Sequence, residues 1–377
     1  MLSDRAREIR PFIVMDVLER AVELERQGNH IIHLEVGEPD FNVPDCVPEA
    51  SRKAFIEGRS HYTHSLGDPV LRHEIVKKYE QEYGVKVSPD QIIVTSGSSP
   101  AILLTLGSLC NNGDEVIISD PGYACYPNFI RFIGAKAVNV PVFEEDGFQY
   151  RPEAICKCIT GKTKAIIINS PMNPTGNLLP ADVMNQLSKF DVPIISDEIY
   201  HGLVYEGKAH SMLEFTTDTF VVNGFSKLYA MTGIRLGYVV APPEYIRPMQ
   251  KLQQNLFICA SSVAQRAGIE ALRMAGPDVL KMKETYNKRR LYIVERLRQL
   301  GFHILSVPTG AFYVFVNAKH ISNNSYQLAF DILEKAHVGV APGIDFGENG
   351  EGYLRFSYAN SIENIETGMN RLEDYLH

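Results

Sequence analysis

The sequence predicts an α/β protein: a large domain with a mostly parallel seven-stranded sheet between helices, joined to a smaller α+β domain. Three observations carry this. Short Val/Ile-rich runs alternate with amphipathic helical windows through the middle of the chain, the pattern of strands buried on both faces and linked by crossover helices. After about residue 275 that alternation gives way to a long charged helix and mixed strands and helices. The chain's 377 residues, 45% apolar and 22% charged, suit an ordinary globular protein with room for two domains.

Taken in order, an N-terminal helix near Val14–Gln27 and a strand at Ile31–Leu34 are expected to pack with the C-terminal part. Strands of the large sheet follow at Ile92–Thr95, Glu115–Ser119, Ala165–Asn169, Pro193–Asp197, Thr219–Asn223 and Arg235–Val240. Helical windows lie between several of them, at Ser99–Cys110, Tyr123–Ile133 and Pro180–Phe190. The second domain reads as a helix at Asp278–Leu300, a strand at Ala311–Val316, a helix near Tyr326–His337 and an alternating strand at Tyr353–Tyr358. The expected division is residues 1–40 as an N-terminal segment, 41–277 as the large domain and 278–377 as the small one.

A net charge of −8 argues against nucleic acid or an anionic membrane as the main partner. No window approaches a membrane-spanning apolar run, and the charged N-terminus lacks the apolar core of a signal peptide. The six cysteines include one close pair, Cys156-x-Cys158, which falls short of the four spaced ligands of a zinc site. Reduced thiols in a cytoplasmic protein without a metal are the expectation.

Candidate chemistry gathers where strands end. Lys227 emerges just past the buried run Thr219–Asn223, after Gly224-Phe225-Ser226, and an amine at such a place suits a Schiff base. Arg235, eight residues on, can clamp a phosphate. In Val94-Thr95-Ser96-Gly97-Ser98-Ser99-Pro100 a strand passes through a Gly/Ser turn straight into a helix, whose free amides and dipole favour an anion; plain Ser capping of that helix is the bland alternative. Asn169-Ser170-Pro171-Met172-Asn173-Pro174-Thr175-Gly176 is a rigid turn with room for a cis X-Pro bond, at the edge where open α/β sheets bind ligands. Asp197 closes an apolar strand, so its carboxylate needs a partner, either a protonated ring nitrogen or the amides of a following helix. Arg355, among apolar neighbours in Tyr353–Tyr358, suggests an inward charge awaiting a carboxylate, with a surface ion pair as the alternative.

Together these runs resemble the class I/II aminotransferases of pyridoxal-phosphate fold type I, the aspartate aminotransferase-like group. The matching stretches are Gly37-Glu38-Pro39-Asp40-Phe41, Tyr62-Thr63, Gly97-Ser98-Ser99, Asn173-Pro174-Thr175-Gly176, Asp197-Glu198-Ile199-Tyr200, Ser226-Lys227 with Arg235, and Arg355. They stand in the family's order across nearly the whole chain. The resemblance implies pyridoxal 5'-phosphate held on Lys227, with Lys227 also moving the proton between substrate and cofactor. It implies Asp197 against the pyridine nitrogen, Asn173 and Tyr200 on the ring oxygen, and Tyr123 stacked on the ring. It further implies Gly97, Ser98, Ser99, Ser226 and Arg235 around the phosphate, and Tyr62 reaching it from the other subunit of a homodimer. Arg355, with Gly37 and Asn173, would grip the substrate α-carboxylate. The partners implied are an amino acid and a 2-oxo acid.

Departures from the pattern concern specificity. Gly224 stands where many members have a phosphate-binding serine, and Tyr123 where tryptophan is frequent. Aspartate-specific relatives carry lysine at the end of the glycine-rich turn, where this chain has Ser99, and hydroxyl residues where it reads Pro11-Phe12-Ile13-Val14-Met15. An apolar lining without a distal cation predicts neutral or hydrophobic donors over aspartate, with 2-oxoglutarate or pyruvate as acceptor. Two other readings share the residues: a C–S β-lyase on the same fold, and a regulatory protein that kept the fold without catalysis. The acidic charge and the complete lysine–aspartate–arginine set speak against the regulator.

Overall fold

The computed structural model describes residues 2–377. Its large sheet has the strand order Ile92–Thr95, Gly237–Val240, Thr219–Gly224, Ile194–Asp197, Thr163–Asn169, Glu115–Asp120, Lys136–Pro141. Six strands point the same way and only Gly237–Val240 runs against its neighbours. The unbroken apolar runs follow from two-sided burial, since successive side chains point to opposite faces. Ile166, Ile168 and Ile194 enter one core cluster, whereas Ile167 and Ile195 enter another with the helix Ser98–Leu109.

Two elements depart from expectation. The edge strand Lys136–Pro141 was not anticipated, because only its Val140 is fully buried and it has no apolar run. The strand expected to start at Arg235 starts at Gly237; Arg235 itself has φ +58°, a left-handed conformation that no strand accommodates.

A three-stranded antiparallel sheet joins Ala341–Pro342, Tyr353–Ser357 and Tyr313–Asn317. Ile32–His33 pairs in parallel with Val338–Gly339. The long charged helix spans Gly276–Gln299. All six cysteines are free. Among the described residues, no helix is long and apolar enough to cross a membrane.

The register delivers the chemistry to one edge. Asn169 lies opposite Asp197, and Asp197 opposite Val222. Gly224 and Thr95 both lie opposite Gly237, just after Arg235. Four strand ends and one strand start therefore bring residues more than 100 positions apart into one site.

Candidate active site

One end of the site is built for an anion. The helix Ser98–Leu109 starts directly at the sheet edge with Gly97 as its cap, and no side chain bonds its first amides. The simple Ser-capping alternative therefore fails: Ser98 and Ser99 are the first two helical residues, and no side chain caps their turn's N–H groups. Gly97 has φ +101°, and a β-carbon there would lie 2.5 Å from Nη2 of Arg235. A β-carbon on Gly237 would lie 2.5 Å from the Gly97 carbonyl carbon and 2.7 Å from the Ser98 nitrogen. Glycine at both positions lets guanidinium, strand and helix start converge. Arg235 is held by Nη1 donating to the Thr232 carbonyl at 2.9 Å.

Gly224 fits the same crowding. A β-carbon there would meet the Leu236 carbonyl at 3.0 Å and the Gly237 Cα at 3.2 Å, so the family's serine would need this backbone to give way.

Three residues past the strand Thr219–Gly224, Lys227 donates from Nζ to the Gly37 carbonyl at 2.5 Å. Its ammonium lies 5.9 Å from the Tyr200 ring centre and 5.7 Å from that of Phe312. Burial lowers the Lys227 pKa to about 8; Arg355 and Arg235 push the same way, while Glu38 and Asp197 oppose. The neutral, nucleophilic amine thus grows as pH rises through about 8. Covalent capture of added pyridoxal phosphate by the stripped protein should accelerate over that range and then level off, followed as the rise of yellow absorbance in a stopped-flow pH series.

Asp197 is buried at the end of its strand, accepting from Tyr126 Oη at 2.7 Å and from the Ile199 amide at 3.2 Å. The backbone bond expected of a capping Asp is present, but no helix follows. Burial raises the Asp197 pKa to about 6, against the two donors and Lys227, which lower it. A carboxylate so poorly solvated is one that a cationic ring nitrogen would stabilise.

In the proline turn, the Ser170–Pro171 and Asn173–Pro174 bonds are cis. The Asn173 amide donates to Asn169 Oδ1 at 2.7 Å, and Asn173 Oδ1 accepts from Arg355 Nη1 at 2.9 Å. The second guanidinium nitrogen of Arg355 donates to the Glu35 carbonyl, and its Nε is buried without a partner. Arg355 is therefore the inward charge expected, 2% exposed and with no carboxylate bonded to it. Its guanidinium carbon sits 4.4 Å from the Tyr313 ring centre and 4.8 Å from that of Phe346. Tyr200 and Tyr313 share a hydroxyl hydrogen bond at 2.8 Å. Gly37 has to be glycine, because a β-carbon would collide with the Tyr313 hydroxyl.

Tyr123 is half-buried, its ring edge-on to Tyr126 at 5.2 Å and to Phe12 at 6.4 Å. Ser226 is buried next to Lys227. Tyr62 stands apart from the cluster at 83% exposure. Its loop is fixed from behind, with Gln265 accepting from the Asp68 amide at 2.6 Å and Gln250 donating to Ser65 at 3.0 Å. Tyr126, Tyr313 and Phe346 were missed by sequence reasoning; the Tyr126-Pro127 pair after Pro121-Gly122-Tyr123 was the only local signal for any of them.

The sequence profile of the family "Aminotransferase class I and II" matches residues 29–372. The chain belongs to the class I and II aminotransferases. It is a pyridoxal-phosphate-dependent enzyme of that family. The (5-formylfuran-3-yl)methyl phosphate transaminase of Methanocaldococcus jannaschii is 43% identical to it, with both chains covered in full. The aspartate aminotransferase of Pyrococcus horikoshii is 38% identical, covering 100% of this chain and 97% of the other. Among solved structures, the Thermus thermophilus aspartate aminotransferase with maleate superposes with a TM-score of 0.95 at 36% identity over 99% of both chains. A Methanococcus jannaschii structure, described as similar in its active site to kynurenine aminotransferases, superposes with a TM-score of 0.94 at 42% identity over the whole of both. The α/β fold of this aminotransferase is therefore that of its relatives.

Proposed function

We propose that this aminotransferase takes the α-amino group of a neutral or hydrophobic L-amino acid in preference to aspartate. The group passes in a second half-reaction to 2-oxoglutarate or pyruvate. The observation that carries the preference is Ser99 at the second position of the helix Ser98–Leu109. It offers a hydroxyl where a lysine would pair with a distal carboxylate, and Phe12 packs edge-on against Tyr123 as an aromatic pair. An unpaired carboxylate would be costly to bury there. A second acceptor class, the aromatic aldehyde phosphate of the 43%-identical relative, is favoured by that full-length identity and by the same aromatic pair.

The donor set fits the cofactor. Gly97, Ser98, Ser99, Ser226 and Arg235 would hold the phosphate, Asp197 the ring nitrogen, Asn173 and Tyr200 the ring oxygen, and Tyr123 the ring face. Bound pyridoxal phosphate supplies an electron sink for the carbanion formed at the substrate α-carbon. Lys227 Nζ, whose pKa burial lowers to about 8, would take the proton from the substrate α-carbon and return it to the cofactor side of the exchange. Arg355 would hold the α-carboxylate, its unpaired Nε already desolvated and its guanidinium set against Tyr313 and Phe346. The Tyr200–Tyr313 bond keeps the Tyr200 hydroxyl in place.

Function as a homodimer belongs to the same reading, with Tyr62 completing the partner's phosphate site. Its support is the exposure of the apolar side chains Phe55 and Tyr62, which line one surface pocket. Sedimentation should give about twice the chain mass of 42.2 kDa, and a monomer that turns over at full rate would exclude shared sites.

The donor preference is tested by mixing the yellow enzyme with alanine, leucine, methionine, phenylalanine and aspartate and timing the loss of colour. Aspartate faster than every neutral donor by about tenfold or more would overturn it. Ser99→Lys should raise kcat/KM for aspartate by about 10- to 100-fold, the yield of one charge-assisted pair. Pyruvate and ammonia released without an acceptor would mark a lyase instead.

A further inference from the structure

The helix Ile13–Arg26 has no cap of its own: Phe12 precedes it and contributes no side-chain hydrogen bond. Its first two amides are satisfied instead by a carboxylate more than 330 residues away in sequence. Ile13 N donates to Asp345 Oδ1 at 3.0 Å and Val14 N to Asp345 Oδ2 at 3.1 Å. Three residues earlier the chain is held again, on the large domain's helix Tyr126–Phe132. There Arg10 N donates to Asn128 Oδ1 at 3.2 Å, and Asn128 Nδ2 donates back to the Arg10 carbonyl at 3.1 Å. Residues 10–14 thus form a short strap with a pin at each end. Between the pins stands Phe12, edge-on to Tyr123.

The strap is also tied to the arginine. Asp345 adjoins Phe346, whose ring lies 4.8 Å from the Arg355 guanidinium and whose carbonyl accepts from Gly122 N at 2.8 Å, one residue before Tyr123. Val14 and Phe346 share one buried cluster, with Phe12 packed against it. Among the described residues no other side chain bonds the Ile13 and Val14 amides, so losing Asp345 frees both amides at once.

We propose that Asp345, with Asn128 at the other end, is a specificity-positioning residue: it sets the Arg10–Val14 strap so that Phe12 and Tyr123 form one wall of the pocket for the substrate side chain. This rests on the donor preference proposed above. Asp345 touches no reacting atom. It acts through the backbone of the strap, so its loss should be felt by large side chains that reach the wall and little by alanine, which does not.

The test is Asp345→Ala in the holoenzyme, with two readouts. Hydrogen exchange of the Ile13 and Val14 amides should quicken by at least about tenfold, the result of one lost cap. In the same variant kcat/KM for leucine and phenylalanine should fall about 10- to 30-fold, while that for alanine changes less than about threefold. Asp345→Asn, which keeps one acceptor oxygen and almost the same volume, should fall between wild type and Asp345→Ala in both readouts, and it serves alone if the alanine variant does not fold. Unchanged exchange at Ile13 and Val14, or an equal fall for all donors, would overturn the proposal. A failure of the donor preference shows separately, because wild-type enzyme would then favour aspartate whatever the exchange data say.

Discussion

Lys227→Ala should fold and take up pyridoxal phosphate non-covalently, yet fail to turn over, with kcat at least about 10⁴-fold below wild type. In the proposed function the amine has two duties that no neighbour can assume. Tyr200 and Phe312 offer ring faces, and Arg355 and Arg235 are guanidinium donors without a free amine, so none can take its place as nucleophile and base. Lys227→Arg should be as inactive for the same reason, despite retaining the positive charge. The missing imine shows as absorbance typical of the free aldehyde, and single-turnover mixing with any donor should leave it unchanged. Residual activity within tenfold of wild type would refute the assignment.

The same substitution carries a stability signature of opposite sign. Lys227 has its pKa lowered to about 8 by burial, whereas in the unfolded chain it titrates near 10.5. Below about 8 both states are protonated and the folded protein bears the full cost of a buried ammonium. Between the two values only the unfolded state keeps the proton, so stability rises with pH across that window. Stripped Lys227→Ala should therefore be more stable than stripped wild type at neutral pH, the gap closing as pH passes from about 8 toward 10.5. Urea unfolding at several pH values checks this.

How far the site was legible in the sequence follows from how local each signal is. Lys227, Asp197 and Asn173 each sit where an apolar run stops abruptly in Gly, Pro or Asp, a pattern visible within ten residues. Arg355 stands out as a charge in an otherwise alternating strand. Tyr313 had no such mark: it lies inside a strand pattern, and only folding brings its hydroxyl to Tyr200 and its ring to Arg355. Tyr126 contacts Asp197 across 71 positions and Asp345 reaches Ile13 across 332, separations that no sequence window spans. The edge strand Lys136–Pro141 escaped because one wet face removes the apolar run that marks its sheet-mates. Arg235 was assigned to a strand because Arg235–Val240 is continuous in hydrophobic character, whereas the left-handed backbone at Arg235 directs its side chain toward Gly97.

Asp197→Asn should lower kcat by about 10²- to 10³-fold while leaving KM for the donor within a few-fold, because it removes a charge and little else. Asparagine keeps the shape: its Oδ1 can still accept from the Ile199 amide while its Nδ2 donates to the Tyr126 oxygen, the hydroxyl reversing its role, so the loss reports the missing carboxylate rather than a collapsed strand end. Without that carboxylate nothing else bonded at this position favours a protonated ring nitrogen, and the electron sink is weakened. A cofactor analogue methylated on the ring nitrogen, and therefore charged at every pH, should recover part of the rate in Asp197→Asn and add little to wild type. No recovery would place the role of Asp197 in positioning. In the stripped protein the sign reverses. Burial holds the folded pKa at about 6 against an ordinary 3.8, so folding favours the protonated form. The cost is absent below about 3.8, grows as pH rises through about 6 and is complete above it. Stripped Asp197→Asn should then outlast wild type at pH 7 and match it near pH 3.5, the mirror of the lysine case in pH and its equal in meaning. Both groups are buried charges that weaken the empty fold, and each would be compensated by the cofactor group it faces. The site is therefore destabilised where it is reactive, and pyridoxal phosphate should stabilise wild type more than either variant.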